Sequence, residues 1–334
     1  MHRVYQEENM YRRDFLKLFT SAFILSIFRK NVSATNFKEK SMVKPIVYFT
    51  KEITPDSLIK IYKAMGRELT GNVGIKISTG EPGGHNYLKP ELIGKLVNEL
   101  NGTIIECNTA YAGRRNTLEE HLKTIEEHGF TKIAKVDIMD AEGEFDIPVA
   151  KGKHLKCDIV GSHLKNYDSI LNLAHFKGHA MGGFGGVLKN QSIGVASSNG
   201  KAYIHTAGAS RDVDELWGKI AEQNAFLESM AEAAKAVADY MNGNILYIDV
   251  MNNLSVDCDC DSHPEDPCMA DIGILASTDP VAVDQACIDK IWSSTDKGRD
   301  HFIARVERQN GRHILPYAES LGLGSREYEL VSLD

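Results

Sequence analysis

Val73-Gly-Ile-Lys-Ile-Ser78, then Thr79-Gly-Glu-Pro-Gly-Gly-His85, then Pro90 to Leu100, then Thr103-Ile-Ile-Glu-Cys107: this run decides the fold class. The first segment is short, apolar and bounded by turn residues, which reads as a buried strand. The Gly/Pro cluster is a loop that no regular element would tolerate. Pro90 opens a helix at the position where a missing N–H costs nothing. Thr103 to Cys107 is the next strand. Two apolar strands joined by a helix make the repeating unit of a parallel sheet covered on both faces.

The same alternation extends in both directions. Pro45 to Thr50 reads as a strand, and Asp56 to Leu69 as a helix capped by Thr54 or Asp56. Thr117 to His128 reads as a helix and Lys132 to Met139 as a strand. Phe145 to Ala150, Cys157 to Val160 and Ile170 to Ala174 are strand signals. Val213 to Met241 is the longest helical stretch, stopped by Gly243. Ile245 to Val250 and Ile272 to Ala276 are strands. Asp279 and Pro280 then start a helix from Val281 to Ile291. The expectation is one intertwined α/β domain over residues 44–334, with a mostly parallel mixed sheet and helices on both faces.

Composition sets the class of partner. The chain has 334 residues, 43% hydrophobic and 25% charged, as in ordinary globular proteins. A formal charge of −8 with no basic stripe argues against nucleic acid and points to small molecules or proteins. The N-terminus is separate. Tyr11-Arg-Arg-Asp-Phe-Leu-Lys17 precedes the eleven-residue apolar run Leu18 to Phe28, then Val32-Ser-Ala34. That order resembles a twin-arginine export signal over residues 1–34, followed by a linker over 35–43. The run is too short to span a bilayer core of ~30 Å comfortably. The expectation is export to the periplasm; the alternatives are an uncleaved anchor, or a cytoplasmic protein starting at Met42.

Three of six cysteines fall in Asp257-Cys-Asp-Cys-Asp-Ser-His-Pro-Glu-Asp-Pro-Cys268. Thiols among carboxylates, beside His263 and two prolines, suit a soft metal or an Fe–S cluster better than packing. Cys258, Cys260 and Cys268 are therefore candidate ligands, against a disulfide or idle surface thiols. Their spacing matches neither a C-x-x-C zinc site nor a bacterial ferredoxin run. Cys157 and Cys287 read as core. Cys107 is a packing residue unless the sheet brings it to the cysteine loop as a fourth ligand.

The second chemical stretch is Ala174-His-Phe-Lys-Gly-His-Ala-Met-Gly-Gly-Phe-Gly-Gly-Val-Leu-Lys189. If His175 ends a strand, the remainder is loop until a helix near Val187, where ligands of α/β sheets bind. His175 and His179 are candidate ligands or proton carriers, and Lys177 a candidate anion holder. Gly182, Gly183, Gly185 and Gly186 could offer backbone N–H groups to an anion or cofactor. A tight turn with two surface histidines is the plainer reading. Lys76 and His85 flank the first loop, whose mouth would open beside the histidines; both are candidate substrate-binding groups, Lys76 as a second anion holder, against a solvated strand-end lysine. Asn108, Thr109 and Arg114 follow a strand end and could bind an anion, or serve as turn and cap residues. His205 is a lesser candidate. No serine-hydrolase, zincin, nicotinamide or ATP-loop motif is present.

Several of these segments in combination resemble a known family. They are Tyr48-Phe-Thr50, Lys76 with Gly80-Glu-Pro-Gly83, Asn108-Thr109 with Tyr111, and His175-Phe-Lys-Gly-His179. They continue with Gly182-Gly-Phe-Gly-Gly186 and Leu188-Lys-Asn190, Cys258-Asp-Cys260, and Asp271 to Asp284. From Lys44 to Leu333 the chain is similar to a domain-of-unknown-function family described as uncharacterised Fe–S centre proteins. Many relatives insert a ferredoxin module of C-x-x-C-x-x-C type after the His-Thr segment; here His205-Thr206 runs on without one. The resemblance implies an Fe–S cluster, [4Fe–4S] in type, on Cys258, Cys260, Cys268 and an unidentified fourth ligand, or another transition metal. With such a centre beside the histidine–glycine loop, the expected reaction is a redox step on a small anionic substrate, and a redox partner protein is a candidate partner. A more distant likeness is to the N-terminal domain of lactate racemase, where histidines and a lysine surround a nickel-pincer cofactor. His175, His179 and Lys177 would play comparable parts. The alternatives to a redox enzyme are an isomerase or lyase with structural cysteines, and a metal carrier or assembly protein.

Overall fold

The computed structural model describes residues 43–334. The expected export signal lies outside them, as does its linker up to Met42. Among the described residues no helix is long and apolar enough to cross a membrane. In chain order the strands are β1 (Ile46–Thr50), β2 (Val73–Lys76), β3 (Thr103–Glu106), β4 (Val136–Ile138), β5 (Glu144–Pro148), β6 (Cys157–Gly161), β7 (Ser169–His175), β8 (Lys177–His179), β9 (Gly183–Gly185), β10 (Ile245–Met251), β11 (Gly273–Ser277) and β12 (Glu329–Ser332). The α-helices are α1 (Pro55–Ala64), α2 (Pro90–Glu99), α3 (Leu118–Glu127), α4 (Val187–Ser192), α5 (Ser198–His205), α6 (Gln223–Tyr240), α7 (Pro280–Ser293), α8 (Arg299–Arg308) and α9 (Ile314–Ser320).

Eight strands form one sheet in the order β12-β1-β11-β10-β7-β2-β3-β4. Only β11 runs against its neighbours, β1 and β10; the other pairs are parallel. The expected α/β class, a mostly parallel mixed sheet with helices on both faces, is what the chain adopts. Strand alternation divides the core between two apolar clusters. Ile104, Leu171, Ile248 and Ile274 pack with Leu58 of α1, Ile93 of α2 and Ile125 of α3. Their neighbours Ile105, Ile170, Tyr247 and Leu275 face the other way, towards Leu188 of α4, Phe226 of α6 and Val283 of α7. β7 and β10 are buried along their whole length, as central parallel strands should be.

Several elements differ from expectation for local reasons. The long helix from Val213 splits. Asp212 caps a single 3-10 turn over Val213–Gly218, and Glu222 caps α6 by accepting from the N–H groups of Asn224 and Ala225. The strand expected over Lys132–Met139 is a 3-10 turn, Phe130–Lys132, followed by the three-residue β4. β5 and β6 leave the main sheet and pair with each other. The glycine stretch after His175 is not all loop: β8 and β9 form an antiparallel hairpin, and Gly183, at φ +80°, opens β9 opposite His179. Thr54 caps α1 with a reciprocal bond to Ser57, and Asp279 caps α7 by accepting from the N–H groups of Val281 and Ala282.

This topology places the chemistry. β2, β3, β7 and β10 run parallel as neighbours, so their carboxyl ends share one edge of the sheet. The connections that follow them carry the Gly80 loop, the Asn108–Arg115 segment, the histidine–glycine hairpin and the cysteine loop.

Candidate functional site

The cysteine loop is held from two sides. Asp259, between Cys258 and Cys260, is buried. Its Oδ1 lies 2.8 Å from His175 Nδ1, and its Oδ2 lies 2.8 Å from Lys177 Nζ. His175 Nε2 faces the Asn252 carbonyl at 2.6 Å. Both ring nitrogens of His175 are thus committed to oxygen partners. The Gly178 N–H donates to the Ser255 carbonyl, at 2.8 Å, and the Glu81 N–H to the Asp259 carbonyl, also at 2.8 Å. The first contact comes from the hairpin and the second from the Gly80 loop. The two loops that read as substrate loops in the sequence are the brackets of the third.

So held, Cys258 and Cys260 reach His179. The ligand atoms of these three residues all lie within 4.8 Å of one another. His179 Nδ1 accepts the N–H groups of Gly182 (2.8 Å) and Met181 (3.2 Å), which turns Nε2 towards the thiols, 3.9 Å from Cys260 Sγ. Lys189 Nζ stands 3.5 Å from Cys258 Sγ. The hydrogen bond from the Cys260 thiol holds Cys258 well below the usual thiol range, and Lys189, Lys177 and His179 act in the same direction against burial. Cys260 is pushed up by the same contact and by burial. Of the two thiols, Cys258 is the one whose deprotonated form the surroundings favour. Burial would push Lys189 down, but Cys258, Cys260 and Asp259 outweigh it and its ammonium is favoured.

All three residues line a cavity of about 520 Å³, well within the size of small-molecule sites. Lys76, Lys189 and Lys201 line it as well; Lys76 and Lys201 are buried and Lys189 is partly buried. Lys201 Nζ donates to the Ala196 carbonyl at 2.6 Å, and burial pushes its pKa down. His205, also in the wall, stacks on Phe226 and is lowered to about 4 by burial. Trp217 sits at the rim, 64% exposed.

A second network braces the far wall. Arg115 Nε meets Glu81 Oε1 at 3.0 Å, and its Nη2 donates to Tyr111 Oη at 3.2 Å. Glu106 accepts from Arg115 and from Thr79, and pairs with His121 Nε2 at 3.2 Å. Burial alone would raise the Glu106 carboxyl; the bond from His121 and the charge of Arg115 hold it far below the usual range.

The residues singled out from sequence are thus dispersed. Lys76, His179, Cys258 and Cys260 meet at the cavity. His175 and Lys177 stand behind the cysteine loop and do not line it. Cys268 is outside the three-residue group, its thiol donating to the Leu254 carbonyl at 3.3 Å. Gly182, Gly183, Gly185 and Gly186 shape the hairpin and the start of α4 and are not in the cavity wall. A Cβ on Gly183 would meet the Gly311 backbone, and one on Gly186 the Asp284 carboxylate. Asn108 binds Asp140 and His121 and also stays out of the wall. Thr109 and Arg114 line the cavity, Arg114 as a partner of Glu120 and Glu127. His85 pairs with Asp266 at the surface. Cys107 lines the cavity, but its thiol donates to the Val195 carbonyl at 3.2 Å. Lys189, Lys201, Arg115 and Trp217 are wall residues that spacing did not mark.

Two sulfurs and one imidazole nitrogen are the donor set of a soft or borderline ion, such as zinc, nickel, copper or iron. His179 Nε2 carries the proton in the metal-free neutral ring, because Nδ1 is an acceptor; an ion bound there displaces that proton. A [4Fe–4S] cluster needs four such ligands. The described residues bring two thiols together, so they fit a single ion better.

Among curated proteins none matches this chain. Among the solved structures similar to it are two of low sequence identity. One is the lactate racemase apoprotein from Thermoanaerobacterium thermosaccharolyticum, 12% identical, with a TM-score of 0.42 over 75% of this chain and 57% of that one. The other is a protein from Thermotoga maritima, 11% identical, with a TM-score of 0.40 over 82% of this chain and 59% of that one. The chain thus spans less than two thirds of the length of either. Residues 73–289 match the profile of a family described as a domain of unknown function, DUF362, and the chain belongs to that family.

Proposed function

We propose that the protein is a metal-dependent enzyme acting on a small anionic molecule. Cys258, Cys260 and His179 would hold one soft or borderline ion, and the cavity beside them would hold the substrate. The observation that carries this reading is the convergence of those three residues in the wall of a cavity also lined by Lys76, Lys189 and Lys201. When bound, the ion supplies Lewis acidity or an electron at the substrate. Lys189 stands against the Cys258 sulfur, and with Lys201 it would offer the anion charge-assisted N–H donors. Asp259, fixed by His175 and Lys177, keeps the thiols aimed.

A redox step, the reaction expected from the sequence, requires a metal with two accessible oxidation states. Zinc in the site would instead make the chemistry an isomerisation or elimination. The test is metal and acid-labile sulfide analysis on protein purified without oxygen, beside the Cys258→Ser/Cys260→Ser variant. One ion per chain without sulfide, lost in the variant, is expected. Protein that neither carries nor takes up metal would overturn the reading, and iron with equimolar sulfide would replace the single ion by a cluster. Export, supported by Arg12-Arg13 and the apolar run after it, belongs to the same proposal. Arg12→Lys with Arg13→Lys should leave the chain in the cytoplasm, and unchanged export would refute that part.

A further inference from the structure

Lys76 ends β2 with 2% of its surface exposed, and its amine has two protein acceptors. These are the Ile77 carbonyl at 2.6 Å and Asn190 Oδ1 at 3.0 Å. Asn190 cannot turn over. Its Nδ2 donates to the Lys76 carbonyl (2.9 Å) and to Asn172 Oδ1 (2.8 Å), while Asn172 Nδ2 donates to the Val187 carbonyl (2.9 Å). This chain of oriented amides leaves Oδ1 as the group that meets the amine. Gly194 makes the room, since a Cβ there would lie 2.7 Å from both Cε and Nζ. Among the described residues no carboxylate forms an ion pair with Lys76.

The geometry suits an amine more than an ammonium. A neutral amine has two N–H donors and one lone pair; the two acceptors use both donors, and the lone pair is left over in a group that lines the cavity. Burial pushes Lys76 down to about 7; Glu106 and Cys107 act upwards, and Lys201 and Lys189 downwards. A desolvated lysine next to other cations is the kind that attacks carbonyl carbon.

We propose that Lys76 forms an imine with a small 2-oxo acid bound in this cavity, its carboxylate set against Lys201 and Lys189. The amine lone pair forms the C–N bond while the carbonyl π pair moves to oxygen. In net terms the nitrogen gives both its protons to that oxygen, which leaves as water as the C=N bond forms; no oxidant or reductant is needed. The proposal deepens the reading of the cavity as an anion site and does not rest on the metal.

The experiment is incubation of the intact protein with pyruvate and sodium cyanoborohydride, followed by peptide mass spectrometry. A 1-carboxyethyl group on Lys76, well above the level on exposed lysines and absent when the chain is unfolded first, is the expected result. Asn190→Ala, which leaves the amine but removes its aim, should cut labelling about tenfold. Labelling of Lys76 no greater than that of surface lysines overturns the proposal, as does pyruvate binding without an adduct. Protein that takes up metal yet leaves Lys76 unlabelled sinks this inference alone. Labelled protein that takes up no metal sinks only the metal centre.

Discussion

His175 Nδ1 and Asp259 Oδ1 lie 2.8 Å apart, both groups buried, and the contact joins the end of β7 to the middle of the Cys-Asp-Cys tripeptide. With Lys177 on the other oxygen, Asp259 is held by a histidine and a lysine from one short stretch of chain. His175 and Lys177 are positioning residues, and His179 alone of the three faces the cavity.

Asp259→Asn should therefore destabilise the fold by roughly 3–5 kcal/mol at neutral pH, the usual cost of removing one partner of a buried ion pair. Burial would raise the Asp259 carboxyl, but His175 and Lys177 outweigh it and hold it down. A depressed carboxylate contributes above its unfolded pKa, and that contribution is lost as pH falls through the folded one. The gap between variant and wild type in urea unfolding should shrink towards acid pH. An unchanged midpoint at pH 7 would contradict the bracket.

Asp158 on β6 is wholly buried, and neither of its oxygens has a partner. Burial pushes its pKa up to about 8. Between about pH 4 and 8 the folded chain keeps a proton that the unfolded chain releases, so stability falls as pH climbs across that window and levels off above it. Asp158→Asn escapes this penalty. Its melting temperature relative to wild type should rise from pH 5 to pH 9, whereas a constant difference would count against a neutral buried acid.

Gly178 lies where a Cβ would come within 2.2 Å of the Val256 carbonyl oxygen, a backbone atom just before the cysteines. Gly178→Ala should cost about 3 kcal/mol and loosen the thiols, read as faster alkylation of Cys258. Gly218, with nothing within 4 Å of its Cβ position, should accept alanine with a change under about 0.5 kcal/mol. Equal effects at the two sites would refute the close-approach argument.

What the sequence made legible was local. Strand-loop-helix periodicity from Val73 to Cys107 named the sheet, and the polar setting of Cys258 and Cys260 marked the thiols that the structure brings to His179. Direction was not legible. Spacing cannot say that His175 looks back at Asp259 while His179 looks into the cavity, because that depends on the hairpin turn between His179 and Gly183. Lys189 and Lys201 lie on α4 and α5 as ordinary helical lysines, and only the fold turns them inward. Cys268, eight residues beyond Cys260, follows Pro264 and Pro267 away from the other two.

Trp217 at the rim should report on occupancy. The chain has two tryptophans, and Trp292 is not in the cavity wall. A small oxo acid or a bound metal should change the emission of the wild type and leave Trp217→Phe nearly silent. An equal change in that variant would place the ligand elsewhere.

The most direct test of the metal centre is X-ray absorption at the edge of the bound metal. The account predicts two sulfur scatterers at ~2.3 Å and one nitrogen at ~2.0–2.1 Å if the ion is zinc, with the sulfur shell halved in Cys258→Ser. A shell of oxygen and nitrogen alone, or a spectrum unchanged in that variant, would contradict it.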